Sequence, residues 1–186
     1  MGSSVSSVDT DVEDDVTIHT LSHPVGGWPY AECFVLRDML RHTGYEDRFK
    51  LEWTDDAVPR LHIGDGTEVL TSADAILRFV GRLTHLYPVS CAVSASVVDE
   101  WIDLARTFDE TSFNEHTASL EKDLEYNEWL GSFESPSLAD FVWVSHLKCV
   151  EEGKLSTLLT EYCQRLDDVV RDSSEADAPS VESDEE

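Results

Sequence analysis

Positive charge is what this sequence has least of: 13 Lys and Arg stand against 39 Asp and Glu, giving a formal net charge of -26 over 186 residues. Binding to phosphate backbones needs Lys and Arg that displace condensed counterions. No basic stripe is present, so nucleic acid is excluded as a direct partner. Long apolar runs are also missing. None reaches the roughly 18 residues of a membrane span, and the polar start is not a signal peptide, so the expected location is cytoplasmic. The four cysteines, Cys33, Cys91, Cys149 and Cys163, form no C-x-x-C pair. Neither a zinc site nor a disulfide framework is indicated, and each cysteine reads as a small buried hydrophobe or an idle thiol. The histidines His19, His23, His42, His62, His85, His116 and His146 show no H-x-x-x-H or H-E-x-x-H spacing, so no metal centre is expected. No internal repeat is visible.

What is present points to a globular middle between acidic ends. A hydrophobic content of 41% with five tryptophans is more than disordered chains carry. Residues 1–15 hold five acids and no base, and residues 172–186 hold seven acids and no base; both read as solvated tails. Taking those twelve acids from -26 leaves -14 on the middle, so acidity belongs to the folded part as well. A basic protein partner fits that surface, and simple solubility explains it equally. Ser180 and Ser183 lie upstream of acids, a setting for phosphorylation.

The order of elements can be read from periodicity. Val16 to Leu21 alternates as a half-buried strand, and the run from Ser22 to Pro29 breaks regular structure with two prolines and two glycines. Ala31, Phe34, Val35, Met39 and Leu40 recur at helical spacing up to Gly44, placed as a C-cap. Strands follow at Arg48 to Trp53 and Arg60 to Ile63, with Gly64-Asp65-Gly66 turning into Glu68-Val69-Leu70. Thr71-Ser72-Ala73-Asp74 opens a helix to about Thr84, and Leu86 to Cys91 reads as a linker. Only helical patterning comes after it: Ala95 to Asp109, Asn114 to Leu130, Ser137 to Glu152 and Leu155 to Arg171. The expected architecture is an α/β thioredoxin-like half, 16–85, followed by an all-α half, 92–171.

Three stretches resemble the glutathione transferase superfamily. The first is Ala31-Glu32, Leu36-Arg37 and Gly44-Tyr45-Glu46-Asp47; the second is Val58-Pro59, Asp65-Gly66 and Thr71 to Ile76. The third is Ser137-Leu138-Ala139-Asp140, a capping box that satisfies two orphan amide groups at a helix start whatever the family. The resemblance implies a cis-proline at Pro59 and, if glutathione is bound, contacts from Val58, Pro59, Thr71 and Ser72. Ser72 would meet the γ-glutamyl carboxylate, although an N-cap role explains it without a ligand.

Two departures from the family stand out. Thiol activation there needs a hydroxyl or cysteine near the end of the first strand; in an ungapped alignment the family tyrosine falls near Pro24. The segment offers Thr20, Ser22 and Tyr30, with His23 alongside, and Ser22 is the candidate. Between Trp53 and Val58 stand only Thr54, Asp55, Asp56 and Ala57, where catalytic members spend a dozen or more residues on a helix for the glycine end of glutathione. Two carboxylates there disfavour an anionic tripeptide. The chain therefore looks like the non-catalytic transferase-like domains of translation elongation factor and aminoacyl-tRNA synthetase complexes. It reads as an interaction module, homo- or heterodimeric, docking through helix faces, with an apolar patch expected on the first-half helices or the helix near Trp143. The competing readings are a divergent glutathione transferase using Ser22 and Ser72, and a regulator whose acidic tails are the active part.

Overall fold

The structure is a computed structural model; it describes residues 17–21, 29–46, 49, 52–54, 60–63, 68–151 and 153–176. The described elements run β1 (Thr17–Leu21), α1 (Pro29–Thr43), β2 (Glu52–Thr54), β3 (Arg60–Ile63), β4 (Glu68–Leu70), α2 (Ala73–Leu83), α3 (Ala92–Arg106), α4 (Phe113–Leu124), α5 (Leu138–Leu147) and α6 (Thr157–Ala176). The sheet order is β2-β1-β3-β4. β1 pairs parallel with β2 and antiparallel with β3, and β3 pairs antiparallel with β4. A parallel pair needs a crossover, which α1 supplies, whereas β3 and β4 pair antiparallel as expected; the turn read at Gly64-Asp65-Gly66 lies outside the described residues.

Local chemistry accounts for each boundary. Val35, Leu36, Met39 and Leu40 form the buried stripe of α1. Gly44 then takes a φ of 68°, where a side chain would be strained. Its N–H bonds to the Arg41 carbonyl at 3.3 Å and that of Tyr45 to the Leu40 carbonyl at 2.9 Å, a Schellman close. In β3, Leu61 is fully buried while Arg60 is exposed, so the strand alternates between faces. Val69, the register partner of His62, lies on the same outer face and is 43% exposed.

The segment between the halves is not a loose linker. Leu86 and Tyr87 are buried, the Leu86 carbonyl accepts the Leu138 N–H at 2.8 Å, and the Tyr87 N–H bonds to the Gly81 carbonyl at 2.8 Å. Gly81 permits this approach: a Cβ there would lie 3.1 Å from the Tyr87 Cβ and 3.2 Å from Leu138 Cδ2. Across the junction Arg78 Nε donates to Asp99 Oδ1 and the Tyr87 hydroxyl to Asp99 Oδ2, both at 2.8 Å.

The core is centred on α5, which α1, α2, α3 and α6 surround. Every residue of α5 from Leu138 to Ser145 is buried. The face near Trp143 is therefore interior, and the apolar patch expected there does not exist; Trp143 itself is 0% exposed. Nor does it lie on α2 or on residues 35–43 of α1, the part of that helix whose burial is described. Among the described residues the exposed large hydrophobics are Val69, Val89, Val93 and Tyr126. Other boundaries differ from expectation, α3 among them, which runs Ala92–Arg106 rather than Ala95 to Asp109. α4 stops at Leu124 rather than Leu130, α5 at Leu147 rather than Glu152, and α6 runs to Ala176, so residues 172–176 are helical and not part of a tail.

Candidate functional site

Of the residues singled out for chemistry, Ser22, Val58 and Pro59 lie outside the described residues. Thr71 and Ser72 are described, both exposed, between β4 and α2. Ser72 occupies the N-cap position with extended backbone (φ -93°, ψ 125°), and its carbonyl accepts the Ile76 N–H at 2.9 Å. Its hydroxyl makes no capping hydrogen bond. The capping role proposed for Ser72 is thus positional only, and the first-turn amides of α2 receive no side-chain oxygen from it.

What stands beside that helix start is an ionic group that sequence spacing did not disclose. Arg106, at the end of α3, pairs with Asp74 in the first turn of α2, and its Nη1 donates to Asp103 Oδ1 at 2.8 Å. Asp74 is well placed against the positive end of the α2 dipole. The neighbouring cation is already shared between two acids. The local balance disfavours a second anion.

The capping box at Ser137 and Asp140 is formed. The Ser137 N–H donates to Asp140 Oδ2 at 2.7 Å and the Ser137 hydroxyl donates to the same oxygen at 2.9 Å, so the hydroxyl proton is spent on the carboxylate. Asp140 does more than cap. Its Oδ1 accepts the Leu130 N–H at 2.9 Å and the Tyr162 hydroxyl at 2.8 Å, tying the loop before α5 and helix α6 to the start of α5. Burial pushes the Asp140 carboxyl above its ordinary value, with these four donors opposing the shift. Tyr162, fully buried beside it, is raised for the same reason of desolvation and by the carboxylate's charge.

Among the thiols, Cys163 is pushed up to about 11 by burial. Of the two roles expected of the cysteines, buried hydrophobe or idle thiol, Cys91 does not take the first. It is exposed at the N-cap position of α3, and hydrogen bonds from Ser94, then Val93, hold its pKa below the ordinary value. Cys149 is also exposed, its thiol donating to the Ser145 carbonyl at 3.4 Å. Among the described residues no cluster of three or more His, Cys, Asp or Glu could hold a metal ion, and no helix is long and apolar enough to cross a membrane.

A parallel-antiparallel sheet in the order β2-β1-β3-β4, flanked by α1 and α2 and joined to a helical bundle built on a capped, buried helix, is the glutathione transferase fold. Solved structures bear this out. A glutathione transferase from Methylococcus capsulatus matches with a TM-score of 0.64 at 20% identity, over 87% of this chain and 98% of that one. The glutathione S-transferase from Ascaris lumbricoides gives 0.62 at 18% identity, over 87% and 95%. A theta class enzyme from Xanthomonas axonopodis, solved with glutathione bound, gives 0.58 at 15% identity, over 87% and 97%. No protein-family model matches the sequence, and no curated protein matches it significantly.

Proposed function

We propose that this chain is a transferase-fold interaction module that does not turn over glutathione. The observation that carries the proposal is the connection from β2, ending at Thr54, to β3, starting at Arg60. Residues 55–59 are too few for the helix that serves the glycine end of glutathione in catalytic members, and they bring Asp55 and Asp56 instead. The shared Arg106 at the α2 start supports the same reading. The fold then serves to join chains in a translation-related complex of the cytoplasm, as the resemblance to elongation-factor and synthetase domains suggests. Its units are the halves 16–85 and 92–171 with acidic ends.

The docking surface we assign is the start of α3. Residues 86–98 carry no charged side chain, and Val89, Cys91 and Val93 are exposed within them. On a chain of -26 an uncharged strip is where a second copy or a partner can approach without repulsion. A thiol-conjugation assay with glutathione tests the proposal: no turnover above the uncatalysed rate is expected, and saturable turnover would restore the divergent transferase using Ser22 and Ser72.

A further inference from the structure

The acids of this chain leave one long gap. Residues 75–98 hold Arg78 and Arg82 and no Asp or Glu, the longest acid-free run in the sequence. On its surface Arg82, His85 and residues 89–93 are exposed. Arg78 is engaged by Asp99 at 2.8 Å. Arg82 lies over the Tyr87 ring at 5.1 Å, and among the described residues no carboxylate pairs with it. A guanidinium laid on a ring keeps N–H donors at its edge for a carboxylate. The patch is thus a positive rim beside an uncharged strip on a chain of -26, and an acidic occupant suits it.

The topology brings an acidic segment of the same chain to this place. β1 and β4 run the same way, each being antiparallel to β3. α1 returns the chain from the end of β1 to the start of the parallel β2, and α2 leaves the end of β4 and packs on α1, so both helices finish at the end of the sheet where β1 begins. α3 runs back along α2: Arg106 at its end meets Asp74, and Asp99 nearer its start meets Arg78. The start of α3 therefore stands beside the end of α2. α6 reaches the same end of the molecule, where Ser173 Oγ lies 3.1 Å from Nδ1 of His42 in the last turn of α1. Beyond the described helix, residues 177–186 carry Asp177, Glu182, Asp184, Glu185 and Glu186, no base, and the apolar Pro179 and Val181. Ten residues span up to about 33 Å when extended. The two steps from α6 across α1 to α2 are about 8–10 Å each, which leaves chain to cover residues 89–93.

We propose that residues 177–186 of this chain lie over the start of α3, with carboxylates on Arg82 and Val181 against the strip of Val89 and Val93, and keep that surface covered until a partner displaces them. That the strip docks a partner is the reading given above; the seat of the tail is measured without a partner, so either can fail alone. Alkylation of the full chain by iodoacetamide, an uncharged reagent, tests it, read by mass mapping at Cys91 within the strip and at Cys149 as the reference. Deleting residues 177–186 should speed Cys91 about two- to fivefold at low salt, the factor that one exposed ion pair supplies, and leave Cys149 unchanged. High salt should erase the difference. Arg82→Gln separates covering from charge, because loss of a cation by itself disfavours the thiolate and slows the reaction, whereas loss of the tail's anchor speeds it. We expect the faster rate in the full-length variant and no further gain from it in the deletion. An unchanged Cys91 rate on deletion, a gain produced instead by removing residues 1–15, a rate that falls as protein concentration rises because a second copy holds the strip, or Arg82→Gln acting in neither or in both backgrounds would overturn the proposal.

Discussion

Replacing Asp140 by Ala should destabilise this protein more than removal of an ordinary helix cap. A capping residue is worth about 1 kcal/mol, because its loss leaves one amide that water can reach. Here the carboxylate is 0% exposed and accepts from four donors: the amides of Leu130 and Ser137 and the hydroxyls of Ser137 and Tyr162. The hydroxyls can rotate, but the two amides are fixed, and each buried amide left without an acceptor costs about 1–3 kcal/mol. Relief from burying a charge offsets part of this. The net expectation is about 3 kcal/mol, a large share of the roughly 5–15 kcal/mol that holds a domain together. Urea unfolding followed by fluorescence should therefore show a markedly lower midpoint for Asp140→Ala, with Tyr162→Phe and Ser137→Ala each costing about 1 kcal/mol. A loss below about 1 kcal/mol in Asp140→Ala would refute the four-donor account.

Ser72→Ala should leave the unfolding midpoint within a few tenths of a kcal/mol of wild type, since its hydroxyl makes no capping bond; a loss near the usual 1 kcal/mol, read in the same urea experiment, would contradict that geometry. Gly131→Ala should cost roughly 2 kcal/mol or more, because φ is 76° and the new Cβ would lie 2.6 Å from Val97 Cγ1. Gly153→Ala, with φ 85° and open space around it, should cost about 1 kcal/mol, and thermal melts rank the two. Asp109 is held at about 2 rather than 3.8 by Thr111 and Ser112, so its contribution is present above pH 3.8 and fades as pH falls through about 2. The gap in urea midpoint between wild type and Asp109→Asn should accordingly shrink between pH 5 and pH 2. Limited alkylation followed by mass mapping should label Cys91 well before Cys163.

Local signals carried most of the fold. Gly44 closes α1 as a glycine after a helical stripe should, and Ser137-x-x-Asp140 opens α5 where the pattern placed it. The errors came from contacts distant in sequence. Trp129 and Leu130 continue the apolar spacing of α4, yet the helix ends earlier because carboxylates capture the amides that follow: Asp123 takes that of Gly131 at 3.2 Å and Asp140 that of Leu130. Gly131 and Ser132 then turn the chain with positive φ. Tyr162 and Asp140, and Arg106 and Asp74, meet only through packing, so no spacing rule could pair them. The same holds for the rings of Phe108, Phe113, His116, Trp143 and His146, which meet from α4, α5 and the turn before α4. For the candidate site, Ser72 was legible as the start of α2, but the Asp74 and Arg106 pair that crowds it was not.

The central claim, a transferase fold whose glutathione site is not served, is tested most directly by isothermal titration of the full chain with millimolar glutathione. The account predicts no saturable heat. Saturable binding that Ser72→Ala abolishes would contradict it and make the α2 start a working tripeptide site.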